Sequence, residues 1–264
     1  MSLVERYGPW AVVAGASDGV GAALAEALAA EGVNVVLVAR RQALLDELAA
    51  RLPVQTRVVT LDLSAASAIS DLAAATDDLE IGSLFFNAGA DTVNKLLLDR
   101  DLDELQGFVQ RNCTAVVEAC HHFGGRMVAR GRGGVVLVTS GAAWAGGSHL
   151  AVYGATKAFD LVLAESLWAE WRELGVDVLS LVLGPTDTPS FHRSLAACGA
   201  RAFDGMADPA DIAAIALAQL GNGPTWSYGM PEPTGPSPLG GLPRRQAVEL
   251  MSAGHAATFA PPGT

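Results

Sequence analysis

Two patterns of apolar residues alternate along the chain. Short runs rich in Val, Leu and Phe lie at 10–14, 33–39, 57–61, 84–86, 135–139, 176–183 and 225–228. Several are apolar throughout rather than at every second position, as parallel strands covered on both faces require. Between them, apolar residues recur at helical spacing over 20–30, 42–51, 65–75, 102–129, 152–173 and 209–220. The last stretch opens Asp208-Pro209-Ala210-Asp211, an acidic cap with a proline in the first turn, which starts a helix. Regular alternation of strand and helix predicts an α/β fold with a parallel sheet of about seven strands and right-handed crossovers.

The alternation stops near residue 230. Residues 231–243 hold five prolines and three glycines, which reads as irregular chain, and a short helix is expected near 244–252. No second core follows it. The expectation is therefore one domain over 1–230, with a substrate-covering loop at 189–207, and a Pro/Gly-rich tail over 231–264.

Composition narrows the partners. Half of the 264 residues are hydrophobic and 17% are charged, enough apolar material for a large core and too much for a disordered chain. A net charge of −11 argues against a phosphate backbone as partner, so any anion site must be built locally. Cys113, Cys120 and Cys198 have no metal-ligand spacing, and no metal is expected. A sparse, odd cysteine count suits a reducing cytoplasm. The apolar run 10–14 is too short for a signal peptide. Residues 133–156 carry no charge over a span that could cross a bilayer. Glycine pairs and Thr139, Ser140, Ser148, His149 and Tyr153 break that span, so it reads as a buried strand and a functional loop, with no membrane span.

The first strand runs into Ala14-Gly15-Ala16-Ser17-Asp18-Gly19-Val20-Gly21, where a helix opens. Glycines here permit a tight turn, close approach of backbone to a pyrophosphate and close helix–strand packing. The helix N-terminus adds free N–H groups for phosphate. At the end of strand two, an enzyme that uses NAD places an acid on the ribose; here Ala39 stands there, followed by Arg40 and Arg41. Without the acid a 2′-phosphate meets no repulsion, and a guanidinium can hold it. The same arginines could be a solvated pair at a helix start, so NADP(H) is favoured and NAD(H) remains open. Asp62-Leu63 follows strand three, where a carboxylate can accept from an adenine amino group or cap a turn. Asn87-Ala88-Gly89 follows strand four, either an ordinary turn or a place where backbone passes close to the cofactor.

Tyr153-Gly154-Ala155-Thr156-Lys157 opens a long helix, and a spacing of four puts Tyr153 and Lys157 on one face. A free phenol titrates near pH ~10. An adjacent ammonium favours the phenolate and makes the phenol a usable proton donor and acceptor. Ser140, thirteen residues upstream, could orient a carbonyl oxygen shared with Tyr153.

Taken with the glycine turn, Asn87-Ala88-Gly89 and Ser140, this pair resembles the short-chain dehydrogenase/reductase family over residues 8–228. The resemblance implies a Rossmann fold, a doubly wound parallel sheet with helices on both faces, and a Ser140–Tyr153–Lys157 active site that interconverts a carbonyl and a secondary alcohol. It implies that Asn112 completes a tetrad by holding a water that links Lys157 to solvent. It also implies that the Gly184-Pro185-Thr186-Asp187-Thr188 loop contacts the nicotinamide carboxamide, through its backbone and Thr188. Phe86 and Leu183 stand where many members have Asn and Pro, and neither change removes a chemical group. Apolar side chains over 189–207 either wall a pocket that suits a lipophilic small molecule or simply pack the loop onto the core, and the long helices either build a homodimer or homotetramer, which the resemblance favours, or are covered by the tail. A non-catalytic dinucleotide sensor on the same fold would be expected to lack Ser140, Tyr153 or Lys157, and all three are present.

Overall fold

The structure, a computed structural model, describes residues 2–91 and 93–261; residues 262–264 of the expected tail lie outside them. Its centre is one parallel sheet of seven strands: β1 (Trp10–Ala14), β2 (Asn34–Ala39), β3 (Thr56–Thr60), β4 (Ile81–Phe86), β5 (Gly133–Ser140), β6 (Val176–Leu183) and β7 (Thr225–Ser227). The spatial order is β3-β2-β1-β4-β5-β6-β7. Winding changes direction between β1 and β4, so the carboxyl ends of those strands form the switch point where open α/β sheets bind ligands.

Alternation along each strand sends side chains to two separate cores. Val13, Leu37, Phe85 and Leu181 pack against α2 (Gly19–Ala30), α3 (Gln42–Arg51) and α10 (Pro209–Gln219). Val12, Val36, Leu84 and Leu137 face α4 (Ala68–Ala75) and α8 (Ala151–Trp171). On this second face lies a helical rod of α5 (Leu102–Val109), α6 (Ala115–Ala119) and α7 (Gly125–Arg130), joined by π turns at Gln110–Thr114 and Cys120–Gly124. The charge-free stretch 133–156 forms β5, a loop and the start of α8, and each Val or Leu that β5 buries contributes about 1.5–3 kcal/mol. No helix among the described residues is long and apolar enough to cross a bilayer.

Three elements depart from expectation. The five-residue α1 (Leu3–Tyr7) is too short to show periodicity. It forms through a capping box, in which Glu5 N–H donates to Ser2 Oγ and Ser2 N–H donates back to Glu5 Oε2. The buried Tyr7 hydroxyl then donates to Asp177 Oδ2 at 2.8 Å, tying α1 to β6. The expected loop 189–207 begins as α9 (Pro189–Ala197), because Thr188 Oγ1 accepts from Phe191 N–H and proline occupies the first turn. The tail helix, α11 (Arg244–Thr258), runs past the expected end at 252 and lies over the carboxyl end of the sheet, where Leu250, Met251, His255 and Phe259 face the cleft.

Candidate active site

One cleft of about 1310 Å³ opens at the switch point, and residues from both ends of the chain line it. Of the expected cofactor set, Gly15, Ser17, Asp18, Gly19, Val20, Arg40, Arg41, Asp62, Leu63, Asn87, Ala88, Gly89, Gly184, Pro185 and Thr188 all line it, as do Ser140, Tyr153 and Lys157. Two expected residues do not. Gly21 is buried beneath the turn, where a Cβ would come within 2.0 Å of Gly15 O, so its place is the close packing of α2 on β1.

Asn112 is the second. It is fully buried in the first π turn, and its Nδ2 donates to Gly89 O at 3.2 Å and Thr156 Oγ1 at 2.9 Å. Arg111 Nε donates to its Oδ1 at 3.1 Å. The side chain thus clamps the Asn87-Ala88-Gly89 loop to the start of α8. It remains beside the lysine: a Cβ on Gly89 would lie 2.9 Å from Asn112 Oδ1 and 3.1 Å from Lys157 Nζ. The positive φ of Gly89, +136°, also bars a side chain there.

The backbone of the cleft fits a dinucleotide. Gly15, with φ +87°, lies where a Cβ would meet Ala88 N at 2.9 Å, so the two loops close on each other only without a side chain. At Gly19 a Cβ would strike Thr188 Cγ2 at 2.8 Å. These contacts leave a cradle of backbone groups at the start of α2, as a pyrophosphate needs. Ala39 carries no acid, and Arg41 Nη2 already lies over the turn, donating to Ser17 Oγ at 2.8 Å and Asp18 Oδ2 at 2.7 Å. Arg40 is mostly exposed, 3.8 Å from Asp62. Asp62 Oδ1 accepts from Ser64 N–H at 2.9 Å, the turn-capping role. Arg111, a cleft residue that sequence reasoning passed over, stacks on Phe108 with its guanidinium 4.7 Å from the ring centre.

The expected Ser140, Tyr153 and Lys157 sit at the other end. Ser140 closes β5, and its Oγ accepts from Ala142 N–H at 3.2 Å, which leaves its proton undonated to any described residue. The Tyr153 hydroxyl has no hydrogen-bond partner among the described residues. Two bonds fix the start of α8 beneath them: Thr139 Oγ1 donates to Lys157 O at 2.7 Å, and Thr156 Oγ1 donates to Tyr153 O at 2.9 Å. Lys157 is buried and donates to Val138 O at 2.9 Å and to Asp160 Oδ2 at 3.1 Å. Asp160, also buried, was not a sequence expectation; its spacing of three from Lys157 was the available signal. Burial pushes its carboxyl pKa up, against the pull of the Lys157 charge.

This end of the cleft is walled by Trp144, Leu150, Phe191 and the inner face of α11. Arg244 donates to Trp144 O at 3.3 Å and Ser148 N–H donates to Ser252 Oγ at 3.0 Å, so α11 is bonded to the β5–α8 loop. His149, His255, Phe259 and Phe191 form a chain of ring contacts with centroids 4.7–5.9 Å apart. His255 bonds Asn94 Oδ1 at 2.6 Å, and burial holds its imidazole below the usual range.

This fold and constellation define an oxidoreductase that interconverts a carbonyl and an alcohol. The short chain dehydrogenase family model matches residues 9–198, and the chain belongs to that family, whose members bind NAD(P). A 7β-hydroxysteroid dehydrogenase of Collinsella aerofaciens is 35% identical over 199 residues, 74% of this chain and 75% of that one. A solved 7β-hydroxysteroid dehydrogenase superposes with a TM-score of 0.83 at 28% identity, covering 95% of this chain and 99% of that one. A short-chain dehydrogenase from Sphingobium yanoikuyae, solved in complex with NADPH, gives 0.76 at 26% identity over 85% of this chain and 90% of that one.

Proposed function

We propose that the protein is an NADP(H)-preferring dehydrogenase/reductase for a bulky lipophilic ketone or secondary alcohol of the hydroxysteroid class, with Tyr153 as the acid/base. The observation that carries this reading is the meeting, in one cleft, of two hydroxyls without protein acceptors, Ser140 and Tyr153, with a dinucleotide cradle on one side and an apolar wall on the other. The hydroxysteroid relatives support the substrate class.

When bound, the nicotinamide supplies the hydride donor or acceptor. Gly15, Ser17, Asp18, Gly19, Val20, Asn87, Ala88 and Gly89 hold the dinucleotide, Asp62 and Leu63 its adenine, and Gly184, Pro185 and Thr188 the carboxamide end. Ser140 donates a hydrogen bond to the substrate oxygen, and the Tyr153 hydroxyl gives that oxygen a proton in reduction or takes it in oxidation. Lys157 holds a positive charge one helical turn away, which favours the phenolate that Tyr153 becomes. Asn112 keeps the Asn87-Ala88-Gly89 loop against α8, so the lysine and cradle stay in register.

The working assay is NADPH oxidation across a panel of hydroxysteroid ketones and smaller lipophilic ketones. Turnover of the small ketones alone would overturn the substrate class, and no turnover with any would overturn the reaction. The cofactor preference rests on Arg40 and Arg41. Charge-assisted bonds of this kind contribute about 1.5–3 kcal/mol each. The double change Arg40→Ala/Arg41→Ala should therefore lower kcat/KM for NADPH by about 10²-fold or more and leave NADH within about threefold; an equal loss with both cofactors would show that the arginines only support the fold.

Residues 1–230 form the dinucleotide-binding unit in this reading, and 231–264 complete its substrate wall. Ending the chain after Pro243 removes α11. The expected result is a KM for a bulky ketone raised about tenfold or more, a loss of about 1.4 kcal/mol, with NADPH affinity by fluorescence titration retained. The half-exposed Val109, Val117, Phe159 and Val162 on the two long helices support a homodimer or homotetramer, and three free cysteines suit the cytoplasm.

A further inference from the structure

Lys157 has a counter-ion inside the protein. Its side chain is 5% exposed, and two of its three ammonium protons are taken within the protein, by Val138 O and by Asp160 Oδ2. Asp160 is 4% exposed at its side chain, and its second oxygen, Oδ1, has no hydrogen-bond partner among the described residues. A carboxylate with one orphan oxygen is an expensive group to bury. The elements facing it carry no compensating charge. Cys113 and Cys120, in the two π turns, are the titratable neighbours there, and burial, with Asp160 itself, pushes their thiols up to about 11 and about 12. Both stay neutral in the working range. On the remaining side, β5 offers only the Val138 carbonyl, which Lys157 takes.

We infer that Asp160 is a positioning residue for the reaction: it anchors the Lys157 ammonium in one orientation and offsets part of its charge, and so sets the pH range over which Tyr153 exchanges its proton. The inference rests on Tyr153 as the acid/base. The sign follows from electrostatics. A negative charge behind the lysine opposes loss of a proton from every acid nearby, Tyr153 included. Asp160→Asn keeps the shape and an oxygen for Lys157 but removes that charge, so the phenolate form is reached at lower pH.

The test is the pH profile of kcat/KM for alcohol oxidation, with NADPH affinity measured on the same preparations. In Asp160→Asn the midpoint of the rising limb should move toward acid by about one unit, a tenfold change in ionisation, while NADPH affinity stays within about threefold. Asp160→Glu, which retains the charge, should return the midpoint to its wild-type position. If Asp160→Asn does not fold, Asp160→Ser, with room for a water beside the lysine, makes the same prediction. A profile lowered uniformly with its midpoint unmoved would overturn the inference and leave Asp160 a purely structural ion. Tyr153→Phe separates the two claims: substantial activity in that variant sinks the acid/base reading itself, whereas its inactivity beside an unmoved Asp160→Asn midpoint sinks only this one.

Discussion

Tyr153→Phe should reduce kcat by about 10²–10⁴-fold, the range that a positioned proton donor contributes, and leave folding and NADPH affinity nearly unchanged. The Tyr153 hydroxyl makes no hydrogen bond to any described residue, so its removal strands no partner and opens no cavity larger than one oxygen atom. The ring stays to line the cleft. Thermal unfolding and fluorescence titration should therefore superpose on the wild type, and steady-state ketone reduction should collapse. Equal losses in NADPH affinity and in kcat would mean that Tyr153 shapes the cofactor site and does not move the proton. A variant retaining most of its kcat would remove Tyr153 from the chemistry altogether.

The second large effect concerns stability as well as rate. Lys157→Met should abolish activity and also destabilise the fold at pH 8 by about 3–5 kcal/mol, the cost of leaving one member of a buried ion pair alone. The pH dependence has a definite sign. Burial already raises the Asp160 carboxyl above its ordinary value with the lysine present. Without the lysine the folded form holds that proton still more tightly than the unfolded chain, whose carboxyl titrates near pH ~3.9. The folded state then binds more protons than the unfolded one, so stability falls as pH rises between the unfolded and folded values. Chemical denaturation of Lys157→Met should accordingly show partial recovery at pH 5 relative to pH 8. A Lys157→Met/Asp160→Leu double variant should regain most of the loss at pH 8, since no charge remains to bury. Absence of both recoveries would mean that the loss comes from the missing hydrogen bond to Val138 O and not from an unpaired carboxylate.

The two experiments read different links in one chain of cause. Asn112, Thr139 and Thr156 use short polar contacts to hold α8 against β5 and the loop after β4. That framework sets Tyr153 on the cleft wall with the buried Lys157 one turn away, beside the glycine cradle in which we propose the dinucleotide lies. Preorganised positioning of this kind is the protein's contribution when a cofactor carries the hydride.

Much of this was decided locally and was legible in the chain. Continuous apolar runs have no stable place except between two helical layers, so the seven strands and their parallel arrangement followed from pattern alone, to within a few residues at their ends. Glycine at 15, 19 and 89 and the Tyr153–Lys157 spacing are set by local geometry, and the residues they single out line one cleft. Tertiary structure decided the rest. Spacing alone puts Asp160 one turn from Lys157, but that both are buried, and that Asn112 clamps a loop to α8 across elements, came only with packing. The helices at 189–197 and 244–258 are fixed by contacts around the cleft: Thr188 caps one, and Arg244 and Ser252 tether the other to the loop before α8. The cover from 189–207 is expected from its apolar side chains, whereas the fold alone brings the distant 250–259 segment to the same cleft, because nothing local in a sequence encodes where its tail docks.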